Sequence, residues 1–334
     1  MTHISNEAHI PSVFCLVYSV FCIPTTIMSV YEHRYRRYEG ELTPLWSRAL
    51  IIPQHAYRSV FQSKLFVAAF ALGFIYPLIA AILIYLHHNV NALALMRLDF
   101  RELVPINASF FETFVIVQGM YAFFLNLLMG PPLVSRDLTN NALPLYLCRP
   151  FSRAEYVLGK MSVLLILLSI VTWIPGLILF FFKAFLEGGT WLTANLWIAG
   201  AIFIGSAAWI LVIVLLSLAI SAWVKWRVVA SAALLALFFI PSAFGAIVNA
   251  LFLTRWGSLI MLPKLIGAVW SGLFGSFAIF RRARDVEIRR NGQWQMVELM
   301  EPPLWTSWAV LALVCVVCLF LLFRKVRAYE VVRG

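Results

Sequence analysis

Residues able to do chemistry are scarce in this chain and concentrated in one place. Charged side chains make up 12% of its 334 residues. The densest polar run is Leu133 to Lys160, LVSRDLTNNALPLYLCRPFSRAEYVLGK, 28 residues set between long apolar stretches. It offers Arg136, Asp137, Asn141, Arg149, Arg153 and Glu155, punctuated by Pro144 and Pro150. A compact, charged, proline-punctuated loop in an otherwise apolar chain presents a shaped surface to the aqueous phase. Other candidates are weaker. Cys315 and Cys318 form a CxxC pair, but they lie inside an uninterrupted apolar run, where free cysteine acts as a small hydrophobe. His87 and His88 adjoin at the end of an apolar stretch with nothing nearby at metal-ligand spacing. Asn107-Ala108-Ser109 fits a glycosylation sequon, a pattern common by chance. The chain has no HExxH, GxSxG or GxxxxGK[ST] motif. Gly159-Lys160 does not complete a phosphate loop, because Ala154 stands where its first glycine belongs and Met161 where its Ser or Thr belongs. No catalytic residue, metal ligand or cofactor site is expected, and ATP hydrolysis by the chain alone is excluded.

The elements around this run belong in lipid. The composition is 62% hydrophobic with a mean hydropathy of +0.89, against about 45–50% apolar in soluble domains. The formal charge of +11 comes from 26 Lys and Arg that gather at the ends of apolar stretches and form no basic stripe. That pattern points to anionic lipid headgroups and away from nucleic acid. Stretches long enough to cross hydrocarbon, about 20 residues, are Leu65 to Leu86, Phe110 to Leu133, Met161 to Phe182, Leu196 to Trp223, Val228 to Leu253 and Leu304 to Phe323. The expected fold is therefore an all-α polytopic membrane protein with six spans. Lys and Arg crowd the ends that hold Arg48, Arg58 and Lys64, the 133–160 run, Lys225 and Arg227, and Arg324 to Arg333. By the positive-inside bias this side is cytoplasmic, with both termini on it.

Three segments flank the spans. From Leu42 to Lys64 the apolar residues recur at helical spacing between Arg48 and Arg58, which describes an amphipathic interfacial helix leading into the first span, with a bend at Pro53. Leu265 to Phe280, rich in Gly and Ser and only 16 residues long, reads as a re-entrant outer element within the long loop 254–303 and not as a seventh span. Val13 to Val30 is apolar but contains Pro24 and has no Lys or Arg before it, unlike a cleavable signal. Residues 1–27 are set apart as an extension of open status.

The polar run divides in two. Ser135 to Cys148 follows the Gly130-Pro131-Pro132 break and suits a short surface helix. Arg149 to Tyr156 holds a capping box, with Ser152 as N-cap, Glu155 at the third helical position, and Phe151 and Tyr156 as a hydrophobic staple. The third span is thereby expected to start as one rigid helix from a fixed point. Apart from Glu112, near one boundary of the second span, the spans contain no Asp, Glu, Lys or Arg; Gln118, Asn126 and Asn249 are their notable polar groups. Proton pumps and voltage sensors need intramembrane charge, so energy for uphill movement is expected from elsewhere.

The 133–160 string resembles the cytoplasmic loop between the second and third spans of permease subunits of ATP-binding cassette transporters, type-2 exporter-like class. YRRYEGELTPLWSR (Tyr35 to Arg48) and RKVRAYEVVRG (Arg324 to Gly334) are similar to the same family, so the resemblance covers nearly everything from Tyr35 onward. It implies a body of two permease copies in a bacterial plasma membrane, as a homodimer or related heterodimer. Each copy docks a separate ATPase that binds ATP and Mg, and together they export a cargo that the sequence does not name. Carried onto this chain, the coupling loop's docking residues are Arg136, Asp137, Leu138, Asn141, Arg149, Pro150, Arg153 and Glu155. Residues 1–27 and the basic stretch Arg281 to Glu301 depart from the pattern. Two readings from other classes stand beside it: a membrane-embedded lipid-modifying enzyme drawing on Glu112, Gln118 and Asn126, and a passive channel or scaffold.

Overall fold

In the computed structural model, residues 45–89, 105–140, 153–224, 226–276, 286–290, 293–297 and 302–325 are described. Ten helices account for nearly all of them: α1 (Leu45–Phe61), α2 (Lys64–Leu72), α3 (Ile75–His88), α4 (Ala108–Thr139), α5 (Arg153–Val171), α6 (Trp173–Glu187), α7 (Gly189–Trp223), α8 (Arg227–Phe252), α9 (Leu262–Leu273) and α10 (Leu304–Lys325). Among the described residues, six stretches are long and apolar enough to cross a membrane: Lys64–His88, Ala108–Ser135, Ala154–Glu187, Gly189–Trp223, Arg227–Phe252 and Leu304–Lys325. These make an all-α polytopic bundle with six spans among the described residues. One short antiparallel hairpin, absent from the sequence expectation, pairs β1 (Val286–Arg290) with β2 (Gln293–Val297), Val286 opposite Val297. In sequence the strands are separated by Asn291-Gly292, a dipeptide type that favours two-residue hairpins.

The helices start and stop for local reasons. Ser63 caps α2 by accepting from the Phe66 N–H (3.4 Å), and Asn107 caps α4 through Oδ1, which accepts from the Ser109 and Phe110 N–H groups (3.0 and 3.3 Å). Gly188, at φ +95°, separates α6 from α7 in a single residue, a left-handed turn that a side chain would strain. α1 runs unbroken through Pro53, so no helix end forms there.

Proline sets the internal geometry of the bundle. Pro77 and Pro175 each lack the N–H that would have bonded the carbonyl four residues back, on Gly73 and Val171. The first span breaks at Gly73–Phe74, between α2 and α3, and the third at Thr172, between α5 and α6. This corrects the expectation of one rigid third helix: Pro175 divides it. Both freed carbonyls find the same partner. Gln118, 1% exposed in the middle of α4, donates its amide Nε2 to Gly73 O and to Val171 O, each at 2.7 Å. An amide has two N–H donors, so one side chain satisfies two orphaned acceptors on two other spans. Tyr121, one turn further, donates its hydroxyl to Ala69 O on α2.

The second span tells a related story with a different outcome. Gly130-Pro131-Pro132 does not end it; α4 continues to Thr139, correcting the break expected at that motif. Pro131 frees the carbonyl of Leu127, and Ser231 of α8 donates its hydroxyl there (3.2 Å). Ser221 of α7 donates to Pro131 O (2.7 Å) and accepts from the Ser135 N–H (3.0 Å). A neighbouring hydroxyl thus replaces the bond lost at Leu127 O, which helps a proline sit inside a membrane helix.

α4 and α7 form the most extensive pairing in the bundle. Asn126 stitches it, donating Nδ2 to Ile213 O (3.0 Å) and accepting from Ser217 Oγ (3.2 Å). Trp209 of α7 donates Nε1 to Gly119 O (2.8 Å), and Trp270 of α9 donates Nε1 to Gly205 O (3.0 Å). A Cβ on Gly119 would lie 2.8 Å from the Trp270 ring and 3.2 Å from that of Trp209, so only glycine admits both indoles. Trp270 thereby anchors the element expected to be re-entrant. After α8 the chain turns back through a 3₁₀ turn, Trp256–Ile260, packed along α8, then buries Leu265, Ile266 and Val269 of α9 within the bundle. At 12 residues α9 is too short to cross.

The stitching by Gln118 is testable by substitution. Gln118→Leu leaves two buried carbonyls unbonded and is expected to cost about 1–3 kcal/mol, read as a lower unfolding midpoint in detergent. Adding Pro77→Ala and Pro175→Ala restores both backbone donors and is expected to recover most of that loss.

Candidate functional site

At one end of the bundle Lys64, Arg227, Arg324 and Lys325 lie at the ends of their helices, with Lys160 two turns inside α5, and this is called the basic end. The polar run meets the membrane helices there. Because α4 continues past its prolines, Asp137 is carried on its last turns. α5 brings Tyr156 and Lys160, four residues apart and so on one helical face, against it. The Tyr156 hydroxyl donates to Asp137 Oδ2 (2.7 Å), and Lys160 Nζ lies 2.9 Å from the same oxygen. Lys160 also sits 5.8 Å from the centre of the Tyr156 ring. The ion pair is mostly buried, with side-chain exposures of 10% for Lys160 and 15% for Asp137. A charge pair this withdrawn from water holds its geometry because separating it leaves each charge unsolvated. The ends of the second and third spans are thus clamped together, with the loop 141–152 between them.

This assigns Asp137 a place that the sequence did not indicate. It was a candidate for contact with a partner; the structure turns it toward α5. Glu155 lies in the first turn of α5, where a carboxylate complements the helix dipole, as the capping-box position requires. Arg136 and Leu138 fall in the last turns of α4, and Arg153 opens α5, but their side chains lie outside the described residues. Asn141, Arg149, Pro150 and the cap Ser152 also lie outside them. Tyr156, read from sequence as half of a staple with Phe151, proves to be a hydrogen-bond donor to Asp137. The signal for it was present: helical continuation through Gly130-Pro131-Pro132 places Asp137 level with a Tyr–Lys pair at i, i+4.

Beside the clamp lies a cavity of about 690 Å³ bounded by α1, α2, α4, α5 and α8. Its lining grades along the helices. Ser59, Ser63, Asn140 and Arg227 stand at or near helix ends, with His55 further inside α1 and Leu65 and Val228 beside them, while Leu127, Leu128 and Leu133 line it deeper along α4. α1 packs on α5 and closes one side, burying Ala56 and part of Val60. Elsewhere at this end, Lys325 of α10 lies 5.0 Å from the Trp223 ring at the end of α7.

The remaining chemical candidates are structural or isolated. Gln118 and Asn126 direct their amides to backbone carbonyls and a serine. Cys315 and Cys318 are free thiols on α10, the second buried. Among the described residues no group of three or more His, Cys, Asp or Glu is placed to hold a metal ion. At the opposite end Lys183, 3% exposed, pairs with Glu187 at 2.6 Å, keeping the cation neutralised at the margin of the third span. Compared with known proteins, the sequence matches no family model and no curated protein.

The clamp makes its own prediction. Lys160→Met is expected to destabilise by about 1–3 kcal/mol, below the 3–5 of a fully buried pair because Lys160 and Asp137 retain some solvent. The exchange Asp137→Lys with Lys160→Asp is expected to recover part of it, as measured by denaturation midpoints of the purified proteins.

Proposed function

We propose that this chain is the membrane-spanning permease subunit of an ATP-binding cassette transporter, type-2 exporter-like class, working as a pair and powered by separate ATPase subunits. The observation that carries the reading is the clamp at the basic end, where Asp137, Tyr156 and Lys160 hold together the ends of the second and third spans that flank residues 141–152 in sequence. The family-like strings from Tyr35 to Arg48, Leu133 to Lys160 and Arg324 to Gly334 support it, as do six apolar spans, an amphipathic helix before the first, and an element tucked in before the last.

In this reading the ATPase grips the loop, and the clamp passes its displacement to α4 and α5 together. The displacement then reaches Gln118, which joins the breaks at Gly73 and Thr172. The basic-end halves of the first and third spans tilt about that level while their far halves stay in place. Motion enters as a hinge and not as a push along one stiff rod. The lipid-modifying enzyme is disfavoured on a specific ground: of its three polar candidates, Gln118 and Asn126 are committed to holding helices together.

The test is biochemical reconstitution. The purified chain is expected to hydrolyse no ATP alone and to retain a co-expressed cassette ATPase through affinity purification. Arg153→Glu, outside the clamp, is expected to lower that retention at least tenfold. Full retention together with normal ATP-driven transport by the variant refutes the docking assignment, and vesicle flux without ATP refutes the transporter class.

A further inference from the structure

The cavity beside the clamp is not used by the coupling path, and its lining is specific enough to name a ligand class. Four observations converge. At about 690 Å³ it falls within the usual range for small-molecule sites, roughly 300–1,000 Å³. Its formal charges are Asp137, Lys160 and Arg227, with His55 nearby. Asp137 and Lys160 cancel each other at 2.9 Å, which leaves Arg227 as the net charge, and among the described residues Arg227 has no ion-pair partner. The hydroxyls of Ser59 and Ser63 and the Asn140 amide share the helix-end rim with it. Beside the rim stand Leu65 and Val228, 65% and 71% exposed, and the rest of the wall is Phe66, Leu127 and Leu133. The cavity therefore joins a cationic, hydroxyl-bearing rim to an apolar wall with exposed outer residues.

We infer that this cavity binds a phosphate-headed amphiphile drawn from the leaflet at the basic end, its head on Arg227 and the Ser59–Ser63 rim and an acyl chain along α2 and α8. Arg suits the head because its planar fork bonds two phosphate oxygens at once. A tail is required because the deeper wall has no polar group to reward water or a bare anion except Ser231, whose hydroxyl is engaged by Leu127 O. Binding stands on the cavity alone; that the amphiphile is cargo follows only if the permease reading holds.

The experiment uses the full purified chain without ATPase, in phosphatidylcholine nanodiscs, titrated with dioleoyl phosphatidylglycerol and followed by native mass spectrometry after extraction. One retained equivalent is expected, preferred at least tenfold over dioleoyl phosphatidylcholine, and not displaced by millimolar glycerol 1-phosphate or inorganic phosphate. Arg227→Glu and the cavity-filling Val228→Trp are each expected to lower retention at least tenfold. Arg227→Lys should retain most of it, and Arg324→Gln, basic and exposed but outside the cavity, should leave it unchanged. Equal retention of the zwitterionic lipid overturns the inference. So does displacement by free phosphate, or a loss in Arg324→Gln as large as in Arg227→Glu. Should Val228→Trp fail to fold, the Arg227 pair, at an exposed position, still decides. ATPase copurification reads out the permease proposal separately, so either can fail without the other.

Discussion

The bundle depends on how its membrane helices dispose of carbonyls that prolines release, most visibly in the first three spans. In hydrocarbon no water can bond an orphaned carbonyl, so a protein donor is the available partner. Gly73 O and Val171 O are met by one amide, that of Gln118, and Leu127 O by the hydroxyl of Ser231. The first, second, third and fifth spans are thereby linked by polar bonds whose loss leaves buried backbone unsatisfied. Apolar packing gives these helices no comparable specificity, since lipid tails are as apolar as leucine. The depth at which the spans bend and the neighbours they keep follow from a few hydrogen bonds.

Around that frame the two ends of the bundle differ in kind. The basic end is polar: a clamp of Asp137, Tyr156 and Lys160, an amphipathic helix packed on α5, and a half-open cavity. The opposite side is closed by the Trp270 indole, held in contact with Gly119 and bonded to Gly205 O. The two ends are thus held by different means, a buried charge pair at one and a wedged indole at the other.

Sequence legibility followed physical rules. The six spans were readable because length and hydrophobicity alone determine them, and the boundaries agree closely for Leu304 to Phe323 and Val228 to Leu253. α1 and the tucked α9 were readable from helical spacing and from a run too short to cross. The polar network was not. Proline signals that a carbonyl is freed, but not whether the helix then bends, as at Pro77 and Pro175, or runs on, as at Pro131 and Pro132. That outcome depends on which distant side chain arrives. Gln118 and Asn126 were visible as polar residues in apolar spans, yet their partners lie 45 to 91 positions away in sequence. The pairing of Asp137 with Tyr156 and Lys160 was hidden for the same reason, because it required knowing that α4 outlasts its prolines.

The wedge of Trp270 has a consequence for how the chain is made. Its indole enters a notch built by Gly119 and Gly205, both of which precede it in the sequence. During synthesis the second and fourth spans can therefore pair in the bilayer before the wedge emerges, and the segment after the fifth span has a finished receptacle to fold into. The last span packs against α9, which precedes it in the sequence. The order of the helices along the chain therefore permits assembly in that same order, with α9 available to seat before the final helix arrives.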